Sequence, residues 1–264
     1  MSLLLREPLD IWLAANEVEV LKRVRPGRAP SGKRLLRRAD DPRPATRWIE
    51  ETLAQALVGT KHASARVLLS NTLVRYAIVP WQRGVLSDVD RGMLGTATLR
   101  SIYGDRADGW SVAMTAPRVG HSSIAGAIDS DLVRAIGTRL AAADVRMDTI
   151  EPLYCRAFDS IANRFAAKKD LWFAVAEPGH VCLGMADKGT WQVLRARPVR
   201  RRIADELLIL LEQMRLVGGV ERGAGDVHVY VRGDVGPIAW PKGMRWTAKF
   251  HGLPAVKPTK EKKK

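Results

Sequence analysis

The residues that first suggest chemistry are His121, Ser122 and Ser123, because an imidazole beside a hydroxyl can act as the base for a nucleophile. The run lacks the glycine-flanked turn that presents a nucleophilic serine, and no acid lies within reach in sequence to orient the histidine. We therefore expect a turn followed by strand residues. The other histidines are scattered, and we expect surface or turn positions for them rather than metal-ligand roles: His62, His180, His228 and His251.

Other motifs with an assigned chemistry are missing from the sequence. It contains no Walker phosphate loop, no dinucleotide-binding glycine motif, no His-Glu-x-x-His and no Cys-x-x-Cys pair. Its two cysteines, Cys155 and Cys182, are spaced unlike a zinc site or a disulfide framework. We expect both of them to be small core residues in a reducing cytoplasm.

The net charge is the unusual global property, because 43 Lys and Arg against 28 Asp and Glu give +15. Such a charge attracts nucleic acid, anionic lipid or an acidic partner. An arginine-rich composition without any such ligand produces the same number. The cations that we consider for contact with anionic lipid or a partner are Lys33, Arg34, Arg37, Arg38, Lys257, Lys260, Lys262, Lys263 and Lys264.

These cations lie in two segments of biased composition. Residues 25–44 are rich in Pro, Gly and Arg, and a solvated loop is the commoner structure for such a segment, so we favour a loop there over a binding patch. The last residues, 255–264, lack the apolar content that would offset the entropy of ordering them. We expect this tail to be disordered.

Length and hydropathy bound the fold class. At 264 residues and 46% hydrophobic content, the chain can bury a substantial core in one or two packed lobes. Charged residues or glycines interrupt every apolar run before it reaches about 18 residues. We therefore expect a protein that neither spans a membrane nor is exported by its own signal.

The first part of the chain alternates strand and helix patterns. The strand-like runs are residues 9–13, 18–21, 65–70, 74–79 and 110–115. The helical patterns are 45–58 and 88–103. Asn16 suits the turn of a hairpin formed by the first two runs, and Thr46 is a candidate N-cap. Pro80 follows the run 74–79, which places that strand at the edge or exit of a sheet.

The middle of the chain has the most specific order of elements. The pattern predicts strand 124–129, helix 130–143, strand 145–150, helix 153–165 and a three-stranded meander at 171–176, 181–185 and 190–199. Asp129 is a suitable N-cap because its carboxylate can accept a free backbone N–H, and Pro152 closes the strand before it. After the meander, the pattern predicts helix 203–216, strand 227–231 and an edge strand at 246–250.

The order from 124 to 199 resembles the actin-like ATPase superfamily at the point where its first half passes to its second. Within that superfamily the chain is similar to the families of the type IV pilus assembly protein PilM and of the cytoplasmic domain of the type II secretion protein GspL. The resemblance rests on residues 128–136, 147–163 and 171–199, and with weaker matches elsewhere it covers most of the chain.

This resemblance implies an α/β architecture, a two-lobed actin-like (ribonuclease H-like) fold with mixed sheets, reduced in size. It places a first half with an inserted small α/β subdomain at 1–150 and a second half at 151–254. The disordered basic tail then occupies 255–264.

Nucleotide-binding members of the superfamily carry an acidic residue and a glycine in one hairpin of each half, where they hold Mg²⁺ and admit phosphate. The first hairpin of this chain turns at 14–16 through two alanines and an asparagine. Asp10 stands at the start of its strand rather than at the turn, and Trp12 occupies a position where close backbone approach would favour glycine. The first signature is therefore absent.

The second hairpin departs from the superfamily as well. Residues 172–174, Trp-Phe-Ala, stand where relatives place Asp-x-Gly. Glu177 and Gly179 could form a shifted substitute, but Pro178 removes an N–H that a phosphate would need. A strand ending in glycines helps to form the adenosine pocket in this superfamily. Here Gly233 and Gly236 are a weak form of that signal because glycines serve any turn.

We therefore expect no catalytic, cofactor-binding or metal-binding residues and a protein that is not an enzyme. The resemblance implies a cytoplasmic scaffold, peripheral at the inner membrane, in a pilus or type II secretion-like assembly platform. Its implied partners are a bitopic inner-membrane assembly protein of the PilN or GspM kind, a secretion or pilus ATPase, and an anionic lipid surface. A nucleic-acid-binding protein and an active actin-like ATPase are the alternatives.

Overall fold

The computed structural model describes residues 6–24, 31–84, 87–162, 170–217, 225–236, 238–241 and 243–252. These residues form three β-sheets and five α-helices. Within these ranges, no helix is both long enough and apolar enough to cross a membrane. The C-terminal lysines considered above, and the disorder expected for them, lie outside the described residues.

The first sheet has five strands in the order β3-β2-β1-β4-β8. They are β1 (Glu7–Ala14), β2 (Glu17–Lys22), β3 (Ser31–Leu36), β4 (Ala63–Leu69) and β8 (Val145–Pro152). β1 pairs antiparallel with β2 and parallel with β4, and β4 pairs parallel with β8. The predicted first hairpin is confirmed, with its turn at Ala15 and Asn16.

β3 corrects the expectation of a loop at 25–44. Its backbone extends the hairpin, with Val18 opposite Leu35 and Val20 opposite Lys33. Leu35 packs against the first hydrophobic core, which gives the strand an apolar contact that its composition hardly shows. Pairing with β2 therefore favours a strand here despite the Pro, Gly and Arg content, which alone favours a loop. Strand formation generally depends on neighbouring strands more than on local composition. Residues 25–30 of the segment lie outside the described part of the chain.

Two helices pack together beside this sheet, α1 (Ala45–Ala56) and α3 (Ser130–Ala142). α1 begins directly after Pro44, so Thr46 lies inside the helix and its assignment as N-cap is wrong. Pro44 has the extended conformation of a capping residue but no side-chain acceptor. The cap of α3 is confirmed, because Asp129 accepts the backbone N–H of Asp131 at 2.8 Å.

A small antiparallel sheet forms a separate layer with strand order β5-β7-β6. Its strands are β5 (Arg75–Val79), β6 (Trp110–Met114) and β7 (Ser123–Asp129). β5 is an edge strand that ends before Pro80, as predicted. Helix α2 (Asp88–Tyr103) packs on this sheet through Gly95, where an added Cβ would lie 2.9 Å from Met114 Sδ.

The second large sheet has the order β11-β10-β9-β12-β13. Its strands are β9 (Asp170–Glu177), β10 (His180–Asp187), β11 (Thr190–Pro198), β12 (Gly225–Val231) and β13 (Trp246–Gly252). The predicted meander and the predicted edge strand β13 are confirmed. The helices of this part are α4 (Leu153–Ile161) and α5 (Ile203–Val217). Residues 163–165 of the helix predicted at 153–165 lie outside the described residues.

One hydrophobic core runs from the first sheet into one face of the second, and a separate core lies between the other face and α5. Tyr154 stands at the centre of the first core, with its ring centroid 5.3 Å from that of Phe173 and 5.8 Å from that of Trp191. Cys182 is fully buried in this core and Cys155 packs against it, as predicted. Burial raises the pKa of the Cys155 thiol to about 12, so the thiol is unreactive.

Candidate functional site

The two large sheets meet at a short 3₁₀ helix, Asn71–Leu73, which follows β4. Ser70 caps this helix by accepting the N–H of Thr72, and its own N–H donates to Leu13 O at the end of β1. The end of β9 reaches the same place from the second sheet. We call the contacts made here by Ser70, Asn71, Glu177 and Arg232 the inter-sheet junction.

Glu177 is the centre of the inter-sheet junction. It is the last residue of β9, and only 2% of its surface is exposed. Its carboxylate accepts the Ser70 hydroxyl at 2.6 Å and the Asn71 N–H at 2.9 Å. The Asn71 side chain continues the network, since its Oδ1 accepts the Tyr76 hydroxyl and the Tyr154 N–H. Buried polar groups held in this way favour one arrangement of the two sheets.

The buried environment of the inter-sheet junction shifts the pKa values of Glu177 and of His180 beside it. Burial raises the pKa of the Glu177 carboxyl to about 7, although hydrogen bonds from Ser70 and Asn71 and the charge of Arg232 act in the opposite direction. His180 Nδ1 lies 3.8 Å from Glu177 Oε1. Burial, with a smaller effect from Arg75, lowers the pKa of His180 to about 4. His180 is therefore neutral near pH 7, where Glu177 is partly protonated.

Arg232 forms a second bridge between the sheets. Its guanidinium lies over the ring of Trp12 in β1, 4.1 Å from the ring centroid, and pairs with Glu19 Oε2 of β2 at 3.1 Å. The backbone N–H of Arg232 donates to Ala176 O of β9. Because the Arg232 and Glu19 side chains are only 17% and 12% exposed, this pair is shielded from solvent.

The turn between β9 and β10 packs against the loop that follows β12. Gly233 has a φ of +76°, and a Cβ at this position would lie 3.2 Å from the Pro178 ring. The glycine that sequence reasoning considered for an adenosine pocket thus contacts the turn considered for phosphate. The candidate phosphate turn at Pro178 and the candidate adenosine glycine at Gly233 therefore pack against each other.

Asp10, the acid that the sequence analysis considered in the first strand, lies four residues before the end of β1, or roughly 13 Å along the strand. Its carboxylate accepts Arg23 Nε at 3.1 Å and Arg66 Nε at 2.9 Å. This carboxylate belongs to a charge cluster on the first sheet. It does not approach the inter-sheet junction.

The residues at the inter-sheet junction do not fit a magnesium nucleotide. Glu177 is buried and held by donors that a phosphate would otherwise use, and its charge would repel a phosphate. Pro178 offers no N–H. Among the residues that the structure describes, no three His, Cys, Asp or Glu side chains are grouped so that they could hold a metal ion.

Most of the basic residues considered at 33–38 contribute to the fold. Lys33 Nζ donates to Val58 O at 2.8 Å, Arg34 is paired with Glu17, and Arg37 donates to Ala15 O and Asp41 O. Arg38 is exposed and lines a groove of about 770 Å³ between β3 and α1. The structure does not bring these four residues together as one free surface.

Two of the histidine expectations are wrong. His180 and His228 are 9% and 5% exposed, because each lies in an inner strand of the second sheet. His228 Nδ1 lies 2.9 Å from His251 Nε2 of β13. His121 lies beside a turn as expected, with Nδ1 2.8 Å from Thr190 Oγ1. Ser122 donates to Trp191 O, so these two residues do not form a nucleophilic pair.

Sequence reasoning missed Ser70, Asn71, Glu19 and Arg232 as junction residues. Their partners lie 107 and 213 positions away for Ser70–Glu177 and Glu19–Arg232. A polar Ser-Asn-Thr run directly after a buried strand is the signal in the sequence that could have pointed to this place.

Comparison with known proteins shows what the chain resembles. No protein-family model matches it, and no curated protein matches it by sequence. A Bacteroides thetaiotaomicron protein with an actin-like ATPase fold and unknown function superposes with a TM-score of 0.59 at 7% identity, covering 86% of this chain and 82% of that protein.

Two further solved structures match along most of their length. The cytoplasmic domain of EpsL, an inner-membrane component of the type II secretion system of Vibrio cholerae, has a TM-score of 0.58 at 12% identity, with 94% of this chain and 90% of that domain covered. The PilM–PilN type IV pilus biogenesis complex has a TM-score of 0.57 at 12% identity, with coverage of 86% and 82%. The chain therefore has an actin-like ATPase fold, and its resemblance to PilM and to the GspL cytoplasmic domain is confirmed at the level of the fold.

Proposed function

We propose that this protein is a non-catalytic cytoplasmic scaffold, peripheral at the inner membrane, in a pilus or type II secretion-like assembly platform. In this role it binds the cytoplasmic part of a bitopic membrane protein of the PilN or GspM kind. An assembly ATPase of the same machine is a further candidate partner.

The closed inter-sheet junction carries this proposal. In an actin-like fold, nucleotide chemistry requires acids and bare backbone at two facing hairpins, and here a buried carboxylate, a proline and an arginine–tryptophan contact occupy that place. A chain that keeps the fold but fills its cleft with its own side chains is suited to a constant shape. A constant shape serves binding of a partner.

The two solved relatives support the choice of partner. EpsL is an inner-membrane component of a secretion system, and PilM was solved in a complex with PilN. Both are covered over more than four-fifths of their length, so the likeness extends beyond a shared core.

The test is co-expression and co-purification with a full-length bitopic membrane protein of the PilN or GspM kind from the same organism. The expected result is a complex that survives detergent extraction and size-exclusion chromatography. A matched calorimetric titration with MgATP should show no saturable heat. Recovery of the chain alone would contradict the scaffold role, and saturable, magnesium-dependent ATP binding would contradict the loss of nucleotide chemistry.

A further inference from the structure

A run of arginines spans the end of β11 and the link to α5, and none of the contacts above uses it. Residues 195–202 read Arg-Ala-Arg-Pro-Val-Arg-Arg-Arg, which places five arginines within eight residues. We call this run the arginine arch. It begins in β11, which is an edge strand, and ends where α5 starts.

The arginine arch is held in place at several points. The N–H of Val199 donates to Gly179 O at 2.8 Å, and the N–H of Arg200 donates to Glu206 Oε1 at 3.2 Å. Arg197 Nε lies 3.1 Å from Glu206 Oε2. Since Glu206 is only 2% exposed, its carboxylate anchors the arch from within the fold. The arch therefore presents its free arginines from a fixed backbone.

Three of the five arginines remain free for a partner. Arg197 is paired with Glu206, and Arg202 is paired with Asp205. Arg195, Arg200 and Arg201 are exposed and form no ion pair within 4 Å with an acid among the residues that the structure describes, although the charge of Arg201 acts on Asp205 from a greater distance. Three unpaired guanidinium groups on one short, anchored segment form a local excess of positive charge.

Strands β11 and β13 end on the same side of the second sheet. β11 and β13 both run in the direction of β9, because β10 is antiparallel to β9 and β11 while β12 is parallel to β9 and β13. The chain therefore leaves β11 and β13 at the same end of the sheet, and the arginine arch continues beyond β11 at that end. In sequence, Lys257 follows Gly252 by five positions.

We propose that the arginine arch docks on the anionic surface of a lipid bilayer, through Arg195, Arg200 and Arg201. This inference rests on the proposed place at an inner membrane and adds the surface that faces the lipid. The phosphates of lipid headgroups form a flat anionic surface, which exposed cations can contact without an enclosed cavity. The arginine arch provides such cations on a backbone that is fixed by hydrogen bonds. It also moves the lipid contact away from Lys33, Arg34 and Arg37, whose side chains are engaged within the fold.

The test compares two triple variants of the full chain in flotation with vesicles of phosphatidylglycerol and phosphatidylethanolamine. One variant carries Arg195→Gln, Arg200→Gln and Arg201→Gln. The control carries Arg83→Gln, Arg106→Gln and Arg118→Gln, which removes the same charge from exposed arginines elsewhere. Each cation near an anionic surface contributes about fivefold, so the arch variant should bind roughly a hundredfold more weakly.

The control variant should bind close to the wild-type level, and binding should fall as salt rises. Equal loss in both variants would overturn the inference, because it would show a response to total charge alone. Full retention by the arch variant, with loss on removal of residues 257–264, would assign the contact to the tail and overturn it as well. If the protein bound a DNA duplex equally strongly through the arginine arch, the inference of a lipid ligand would be overturned in favour of nucleic acid.

These measurements separate the inference from the scaffold proposal because the vesicles contain no protein. Arch-dependent flotation without a co-purifying membrane protein would support lipid binding by the arginine arch and contradict the scaffold role. Co-purification with a membrane protein, without arch-dependent flotation, would do the reverse. Thermal melting of both triple variants checks that neither loss comes from unfolding.

Discussion

Folding shifts the pKa values of Glu177 and His180 in opposite directions across nearly the same pH range. The pKa of Glu177 is raised from 4.5 to about 7, so the folded protein binds more protons than the unfolded chain between these values, and the free energy of unfolding falls as pH rises. The pKa of His180 is lowered from 6.5 to about 4, so the folded protein binds fewer protons there, and the free energy of unfolding rises with pH.

Single substitutions should separate the two effects. In Glu177→Gln, the remaining histidine should make the protein more stable as pH rises from about 4 to 6.5. In His180→Gln, the remaining carboxyl should make it less stable as pH rises from 4.5 to about 7, by up to about 3 kcal/mol. Urea unfolding at half-unit steps of pH measures both slopes.

The wild type and the double variant are the controls for these slopes. Both should change little over this range, since the opposing effects cancel in the first and are removed in the second. Other carboxylates with lowered pKa values, such as those of Asp41 and Asp205, are the same in all four proteins and drop out of the differences. Slopes of the same sign in the two single variants would show that burial at the inter-sheet junction is not what shifts these groups.

The sequence contained only part of this site. It identified Glu177, Pro178 and the glycine after β12 as the residues of interest and the missing acids as the important absence. It could not reveal the donors, because Ser70 and Arg232 acquire their roles only when strands distant in sequence are placed side by side. Hydrogen-bond partners at this separation leave no local pattern to read.

Among the elements, those with a strong apolar period were predicted well and those specified by their neighbours were not. In the meander, β9 and β10 are apolar and buried along nearly their whole length, and all three strands were located to within a few residues. β3 has mostly exposed side chains, so its sequence resembles that of a loop. It forms a strand because its backbone hydrogen-bonds to β2. The start of α1 at Ala45 was predicted correctly, but its cap was assigned to Thr46 because Pro44 occupies the cap without a side-chain acceptor.

Within β10, Gly184 is required by its neighbours rather than by its backbone. The Tyr154 hydroxyl stands where an added Cβ would lie, and Trp191 is 2.9 Å from that point. Gly184→Ala should therefore overpack the first core and cost about 1–3 kcal/mol of stability. Chemical unfolding of the variant measures this change.

A second substitution tests whether Tyr154 is the cause. Tyr154→Phe alone loses the hydrogen bond to Phe173 O, at a cost of about 1 kcal/mol, but in the Gly184→Ala background it should recover part of the stability. Gly137→Ala is the matched control, because nothing lies within 4 Å of its Cβ position in helix α3, and it should stabilise by roughly 0.5–1 kcal/mol. Additive effects of Gly184→Ala and Tyr154→Phe would exclude the proposed contact.

At the scale of the whole molecule, the first core joins the two large sheets into one cooperative unit. It contains Leu13 and Val67 of the first sheet together with Phe173 and Tyr230 of the second. The second core lies on the far face of the second sheet, under α5. The core residues that connect the sheets should therefore control cooperativity, and those under α5 should control stability alone.

Tyr154→Ala should change both properties, because the fully buried ring contacts Phe173 and Trp191 of the second sheet as well as Tyr76, with centroids 6.0 Å or less apart. The cavity should cost about 3–5 kcal/mol and broaden unfolding until the van't Hoff enthalpy falls below the calorimetric enthalpy. Leu211→Ala opens a cavity of comparable cost in the second core and should keep the two enthalpies equal. Differential scanning calorimetry gives both enthalpies, and loss of cooperativity in the Leu211 variant alone would place the coupling between the sheets under α5 instead.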